Sequence, residues 1–314
     1  MAVEQIIPDK PAKSGRIHAC LQLVRVPNLL TVPGDPLAGY FLAMASGTEP
    51  SYGSILIAVT ASLLLYIFGL VSNDLFDLKN DITERADRPL PSGRIKPLEA
   101  TIVTVIMVLA ALKAASINGR FSLATAGVLA AVIIVYNCVG KRIPLFGPLN
   151  MGLCRGLNLL LGASAMGMPG LTSRVVLMAA ALLAAYIAAV TVIAARETSN
   201  IPHGSKRWWP AFATAVFLFP LFVYYSQDSH IAAKIFSICI AAVSLIWSWH
   251  AGVLLSGAPG PGIVPAVVGR FIQGLLFIQA LLLSLCEWPA QIVAAGIILA
   301  LPVFSILARK FYSS

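Results

Sequence analysis

Apolar residues run along this chain in long unbroken stretches. Ten can be drawn, at roughly 26–46, 54–73, 98–116, 121–138, 148–167, 174–195, 208–225, 231–255, 264–287 and 290–308. None alternates with a period of two, so the pattern predicts helices and not the strands of a membrane barrel. At about 1.5 Å per residue, each helix is long enough to cross roughly 30 Å of hydrocarbon. The cleanest stretch carries no formal charge from Tyr52 to Ser72. The first is interrupted by Pro33-Gly34-Asp35-Pro36, which predicts a helix break lining a cavity, since irregular backbone at membrane depth is tolerated only there.

Composition narrows the class. Of 314 residues, 58% are hydrophobic and 11% charged, with a mean hydropathy of +0.86. A soluble domain carries about 25% charged residues, so a soluble enzyme is excluded, and disorder is excluded by the same arithmetic. Five widely spaced cysteines make no disulfide framework. What remains is an all-α polytopic membrane protein. Residues 1–16 are polar and Pro-containing, so no cleavable signal peptide is predicted. Residues 1–25 are expected to form a tail and interfacial segment ahead of a transmembrane domain over 26–310.

The net charge of +9 reads as membrane anchoring and not as nucleic-acid binding. With a cytoplasmic N-terminus and ten crossings, sixteen of the 22 Lys and Arg fall on the cytoplasmic side. Only Arg120 and Arg174 fall opposite, and Lys113, Arg155, Lys234 and Arg270 lie within stretches. This asymmetry predicts cytoplasmic termini and charged loops, and an even number of crossings.

The chemistry concentrates after the second stretch, in Asn73-Asp74-Leu75-Phe76-Asp77-Leu78-Lys79-Asn80-Asp81. On a helix turning about 100° per residue, with Asp74 at zero, Asp77 falls near −60°, Asp81 near −20° and Asn73 near −100°. Three carboxylates on one face repel one another unless a cation sits among them. Carboxylate and amide oxygens suit a hard divalent ion, and Mg2+ is commonly held by a few carboxylates plus substrate phosphates. A solvated helix end with salt bridges to Lys79 and Arg85 is the plainer alternative. Downstream, Pro89 takes Arg88 out of the helix and Pro91-Ser92-Gly93 reads as a turn. That turn lets Arg88, Arg94 and Lys96 fold back toward the acids, where guanidinium groups can clamp a diphosphate. Positive-inside anchoring accounts for each single arginine equally well.

Asn73-Asp-x-x-Asp77-x-x-x-Asp81, followed by Arg85-x-x-Arg88-Pro-Leu-Pro-Ser-Gly-Arg94, resembles the first motif of the UbiA superfamily of membrane prenyltransferases. Arg25-Val-Pro-Asn28 before the first stretch, and Tyr136 and Lys141 closing the fourth, extend the resemblance. It implies a bundle of nine to ten transmembrane helices around a central cavity open to lipid. It implies Mg2+-dependent transfer of a prenyl group from a prenyl diphosphate to an acceptor that the sequence does not identify. By the same resemblance Asn73, Asp74, Asp77 and Asp81 are metal ligands. Arg85, Arg88, Arg94 and Lys141 contact the diphosphate, with Lys141 counted among the catalytic groups beside the three aspartates. Asn28 lines the metal site.

The second motif of the family, another aspartate-rich loop, is replaced here by Arg196-Glu197-Thr198-Ser199-Asn200. Glu197 and Asn200 are its candidate ligands for a second Mg2+, and Arg196 a candidate substrate contact. Within the stretches, charged residues are functional candidates by default. Asp35 can bind or orient the acceptor, or form an internal salt bridge to Arg155 or Arg270, and Arg155 and Asn158 share a helix face that serves ligand contact or packing equally well. His203 and His250 read more simply as hydrogen-bonded structural histidines, and Trp208 and Trp209 as an interfacial belt. A transporter or a non-catalytic prenyl-diphosphate-binding protein are the rival functions. Turnover of a labelled prenyl diphosphate separates both from a transferase.

Overall fold

The computed structural model describes residues 15–44, 49–195, 202–225, 231–257 and 262–312, and among them every regular element is a helix. Two short helices, α1 (Arg16–Leu23) and α2 (Val26–Leu29), precede α3 (Gly34–Ala43). The first predicted crossing is therefore broken at residues 30–33, where Pro33 and Gly34 end one helix and start the next. Helix α4 (Tyr52–Glu84) is the longest and carries the acidic motif in its last turns. It is followed by α5 (Pro97–Ile117), α6 (Arg120–Cys138) and α7 (Phe146–Ala163). A short α8 (Gly167–Thr172) leads into α9 (Arg174–Ala194), α10 (Trp209–Tyr225), α11 (Ile231–Val253) and α12 (Ile263–Ser284).

The last predicted crossing is also divided, into α13 (Ala290–Leu299) and α14 (Leu301–Tyr312). Pro302 fits the first turn of α14 but lacks the N–H that a continuous helix would need there. Six helices are long and apolar enough to span a bilayer among the described residues, with 290–306 a shorter apolar segment. The outward faces of the bundle are apolar too. On α5, Leu98, Ile102, Ile106 and Leu109 are exposed, a surface suited to hydrocarbon and not to water.

Helix α7 is the hub. It joins α3, α9 and α12 in one buried cluster through Leu159 and Ala163, and α4, α5 and α6 in another through Leu161. Glycine makes the close approaches possible. A Cβ on Gly152 would stand 2.3 Å from Ala184 O, and one on Gly156 would stand 2.9 Å from Ala180 O. Gly152-x-x-x-Gly156 therefore docks α7 on the small residues of α9, as small residues one turn apart do in membranes. On the other side Gly162 meets Pro36 O and Gly39 meets Leu159 O, which locks α3 to α7. The remaining α7 face carries Arg155 and Asn158 inward.

The C-terminal helix returns to the start of the bundle. α14 packs against α2 and α12, with Phe304 buried and Gln273 Nε2 donating to Ser305 Oγ at 3.2 Å.

Candidate active site

The acids sit where α4 leaves the apolar body. Asp74 and Asp81 have side chains only 9% and 7% exposed, so neither is a solvated surface acid. The four motif residues meet three cations. Arg88 Nη1 lies 2.7 Å from Asp81 Oδ2 and 3.8 Å from Asp74 Oδ1. Lys141 Nζ donates to Asp77 Oδ1 at 2.5 Å and to Asn73 Oδ1 at 3.2 Å. Arg25 Nη2 reaches Asp74 Oδ1 at 3.4 Å.

Each cation is placed by a local device. Helix α4 stops at Glu84, and of the three basic residues expected to return toward the acids Arg88 does so. Ser92 N and Ser92 Oγ both donate to Arg88 O, and Gly93, at φ +73°, supplies the left-handed residue that closes the turn on Leu90 O. Leu90 and Ile95 then bury against Ala19, Leu23 and Val71, which holds Arg88 over the acids. Lys141 stands on a single 3-10 turn after α6. Asn137 fixes that helix end by donating from Nδ2 to Ser72 Oγ at 2.8 Å and to Gly69 O at 3.1 Å. Arg25 has φ +46°, an uncommon conformation for a residue with a side chain, of the kind that clusters at functional sites.

Below the acids lies a cavity of about 210 Å3, running along α4 from Asn73 to Ser62. Leu65, Leu70, Leu129, Ile133, Met151 and Ile187 make it largely apolar. Arg25, Tyr66, Tyr136, Asn137, Arg155 and Asn158 add polar points. It has the form of a small-molecule site, concave and apolar with a few fixed polar groups.

Some predicted residues are elsewhere. Arg94 does not join the acids: it donates to Ser92 Oγ and Gln22 Oε1, both at 3.0 Å, and to Asp87 O at 2.5 Å. It therefore braces the loop on α1. Arg85 is the exposed cap residue of α4, and Lys96 is exposed at the start of α5. Asp35 is fully buried and does not line the cavity, being paired with Arg155 Nε at 2.9 Å. Asn28, by contrast, stays near the site: it sits half-buried on α2 with its side chain hydrogen-bonded to Tyr66 of the cavity wall. His203 is buried with Nε2 3.3 Å from Ile193 O, a structural placement. His250 is exposed beside Arg270, and Trp208 stacks on Trp249 at 4.1 Å. Arg196, Glu197 and Asn200 lie outside the described residues. Arg25 and Asn137 line the cavity and Gln279 holds Asp35 behind it, and none of the three was a candidate from the sequence. Only Arg25 had a signal, its place in Arg25-Val-Pro-Asn28.

The donor set fits Mg2+. Among the described residues no three His, Cys, Asp or Glu side chains converge closely enough to hold a metal alone. Mg2+ does not require that, since it typically takes one or two carboxylates and completes its shell with water and phosphate oxygens.

Comparison with known proteins agrees with this geometry. The sequence model described as the UbiA prenyltransferase family matches residues 36–310. The digeranylgeranylglyceryl phosphate synthase of Methanosarcina mazei is 34% identical over 185 residues, covering 54% of this chain and 63% of that protein. The protein of the same name from Methanoculleus marisnigri is 28% identical over 207 residues, 65% of this chain and 72% of that one. The chain thus spans about three-fifths of the length of the Methanosarcina relative it matches. Among solved structures, one from work on digeranylgeranylglyceryl phosphate synthase superposes with a TM-score of 0.62 at 21% identity, covering 90% of this chain and 99% of that one. A UbiA homolog from Archaeoglobus fulgidus bound to DMAPP and Mg2+ superposes with a TM-score of 0.61 at 18% identity, covering 83% and 98%. These likenesses establish the fold.

Proposed function

The chain belongs to the UbiA prenyltransferase family, and on that footing we propose that it transfers a prenyl group from a prenyl diphosphate to an acceptor held inside the membrane. The observation that carries the reading is the meeting of three aspartates, two arginines and a lysine at the mouth of an apolar cavity. The binding of DMAPP with Mg2+ by the Archaeoglobus homolog supports a diphosphate at that mouth.

In this reading Asp74, Asp77 and Asp81, with Asn73, offer oxygens to Mg2+, which supplies charge stabilisation for a leaving diphosphate. Arg88, Lys141 and Arg25 are already aimed at the same place and can exchange carboxylate oxygens for phosphate oxygens. Such preorganised donors act where negative charge develops. The bond between C1 and the bridging diphosphate oxygen breaks, and its electron pair leaves with the diphosphate. The acceptor's nucleophilic atom forms the new bond to C1 and releases its proton to water at the mouth. The apolar walls keep water from the reacting carbon. Glu197 and Asn200 are proposed to complete a second, weaker Mg2+ site. The charge asymmetry of the loops supports a cytoplasmic mouth and cytoplasmic termini.

The test is release of labelled diphosphate, and binding of a prenyl diphosphate, as a function of Mg2+ in purified protein. Asp77→Ala and Asp81→Ala should each abolish Mg2+-dependent binding. Unchanged binding in either variant would remove these residues from the site.

A further inference from the structure

A basic and aromatic corner forms where three later helices meet. A short 3-10 turn, Gly204–Trp208, leads into α10 and rests on the end of α11. A Cβ on Gly252 would stand 2.8 Å from both Arg207 O and Trp208 Cε3, so this glycine makes the seat. Trp208 stacks on Trp249 at 4.1 Å, and the Arg207 guanidinium lies 4.8 Å from the centre of the Trp208 ring. Lys206 Nζ stands 5.9 Å from the Trp209 ring. From α12, Arg270 Nη1 donates to His250 Nδ1 at 3.5 Å, while Trp247 Nε1 donates to Arg270 O at 2.8 Å. A guanidinium can only donate, so the His250 proton sits on Nε2 as a further donor.

These cations differ from those at the mouth, where Arg25, Arg88 and Lys141 each meet a carboxylate. Among the described residues Lys206, Arg207 and Arg270 meet none. Arg207 Nε is buried without a hydrogen-bond partner. Aromatic rings and a neutral imidazole position these side chains and leave their charge uncompensated.

The corner faces outward. Arg270 and Gln279 are nine residues apart, about two and a half turns at 100° per residue. Gln279 points inward to Asp35, so Arg270 takes the opposite face and is exposed. Farther along the same helices, Phe212 and Val216 on α10 and Ile246 on α11 are exposed, an apolar wall suited to acyl chains. An arginine about two turns inside an apolar helix and turned toward lipid is costly without an anion. The corner also lies at the end of the bundle that holds the acids. Ala184 opposite Gly152 and Ala180 opposite Gly156 make α9 antiparallel to α7, and buried His203, which caps the 3-10 turn, bonds to Ile193 O near the end of α9.

We propose that this corner is a docking surface for anionic phospholipid. Lys206, Arg207, Arg270 and the His250 Nε2–H meet the charge of the head group, and the acyl chains lie on the wall of α10 and α11. Basic pockets beside apolar helices take anionic head groups in this way, and tryptophans mark the head-group level. The surface is independent of the prenyl-transfer reading.

Four of the five tryptophans lie at this corner, all but Trp288, so intrinsic fluorescence reports on it. The full chain carrying Trp288→Phe is reconstituted in dioleoylphosphatidylcholine vesicles. These contain increasing fractions of dibrominated phosphatidylglycerol or dibrominated phosphatidylcholine, whose bromines quench tryptophan on contact. Half-maximal quenching should need at least about tenfold less of the anionic lipid. Arg207→Gln/Arg270→Gln should bring the two lipids level. Lys96→Gln/Arg142→Gln, which removes two exposed cations elsewhere, should keep the difference. Because Arg207 packs in the seat of the turn, Arg270→Gln is also measured alone and should reduce the preference at least about threefold. Equal quenching by both lipids in the parent chain, a preference that survives both Arg270 variants, or an equal loss in the Lys96 and Arg142 pair overturns the surface. So does displacement of the lipid by millimolar glycerol 3-phosphate, which would mark a site for free phosphate.

Discussion

Replacing Lys141 by Met should move two affinities in opposite directions. The ammonium sits between Asn73 Oδ1 and Asp77 Oδ1, on oxygens assigned to Mg2+, so it competes with the ion. The two side chains are 17% and 22% exposed, so the pair is neither a surface bridge nor a dry one. At an effective dielectric of about 20 the gross attraction is about 4 kcal/mol or more at this range. Desolvation and screening offset most of that, leaving about 1–2 kcal/mol net, between the values for exposed and buried pairs. At about 1.4 kcal/mol per tenfold, Lys141→Met should tighten Mg2+ alone by about 5- to 30-fold. The same variant loses a donor to the diphosphate, so prenyl diphosphate binding at saturating Mg2+ should weaken by about tenfold. Isothermal calorimetry on purified protein reads both. If Mg2+ affinity is unchanged, or falls together with diphosphate affinity, Lys141 does not share oxygens with the ion and the exchange argument is wrong.

Other expectations follow from the packing and the charges. Gly152→Leu, whose Cβ would enter the contact with Ala184 O at 2.3 Å, should lower thermal stability in detergent by several degrees or prevent folding; a wild-type melting curve would show that α7 and α9 can part freely. Asp35→Ala strands Arg155 and should cost about 3–5 kcal/mol, read as a lower denaturant midpoint, with most of it regained in Asp35→Asn/Arg155→Gln. Cysteine labelling in intact cells should leave position 94 and the C-terminal tail protected from outside reagent. Strong outside labelling at position 94 would reverse the orientation, and at the tail would make the number of crossings odd.

Period and punctuation make part of the site readable in the sequence. The angular spacing of Asn73, Asp74, Asp77 and Asp81 anticipated that they share one face; which acid meets which cation depended on partners from other segments. Pro89 and the Pro91-Ser92-Gly93 turn anticipated the return of Arg88. The Pro33-Gly34 break was visible for the same reason, because those residues limit the backbone directly. Hydropathy alone missed the division at Ala300, since a break between two apolar helices leaves the apolar run intact. It also could not distinguish Arg88 from Arg94 or Arg85. Their fates depend on where Leu90 and Ile95 find a buried seat and on whether Gln22 and Asp87 O stand nearby. Asn137 and Gln279 were invisible because each is one ordinary amide in an apolar helix, given meaning only by partners on other helices.

The bond from Gln279 to Asp35 spans 244 residues of chain, and that separation sets an order of assembly. During synthesis Asp35 enters the membrane long before α12 exists. Asn158 and Arg155 can reach it first, from α7, but the carboxylate oxygen that Gln279 serves must wait for the last third of the protein. A nascent bundle ending before residue 279 holds a half-solvated acid in hydrocarbon. It also leaves Thr31 O without the amide that holds it in the complete chain. The floor behind the cavity is thus closed last, by a helix from the far end of the chain.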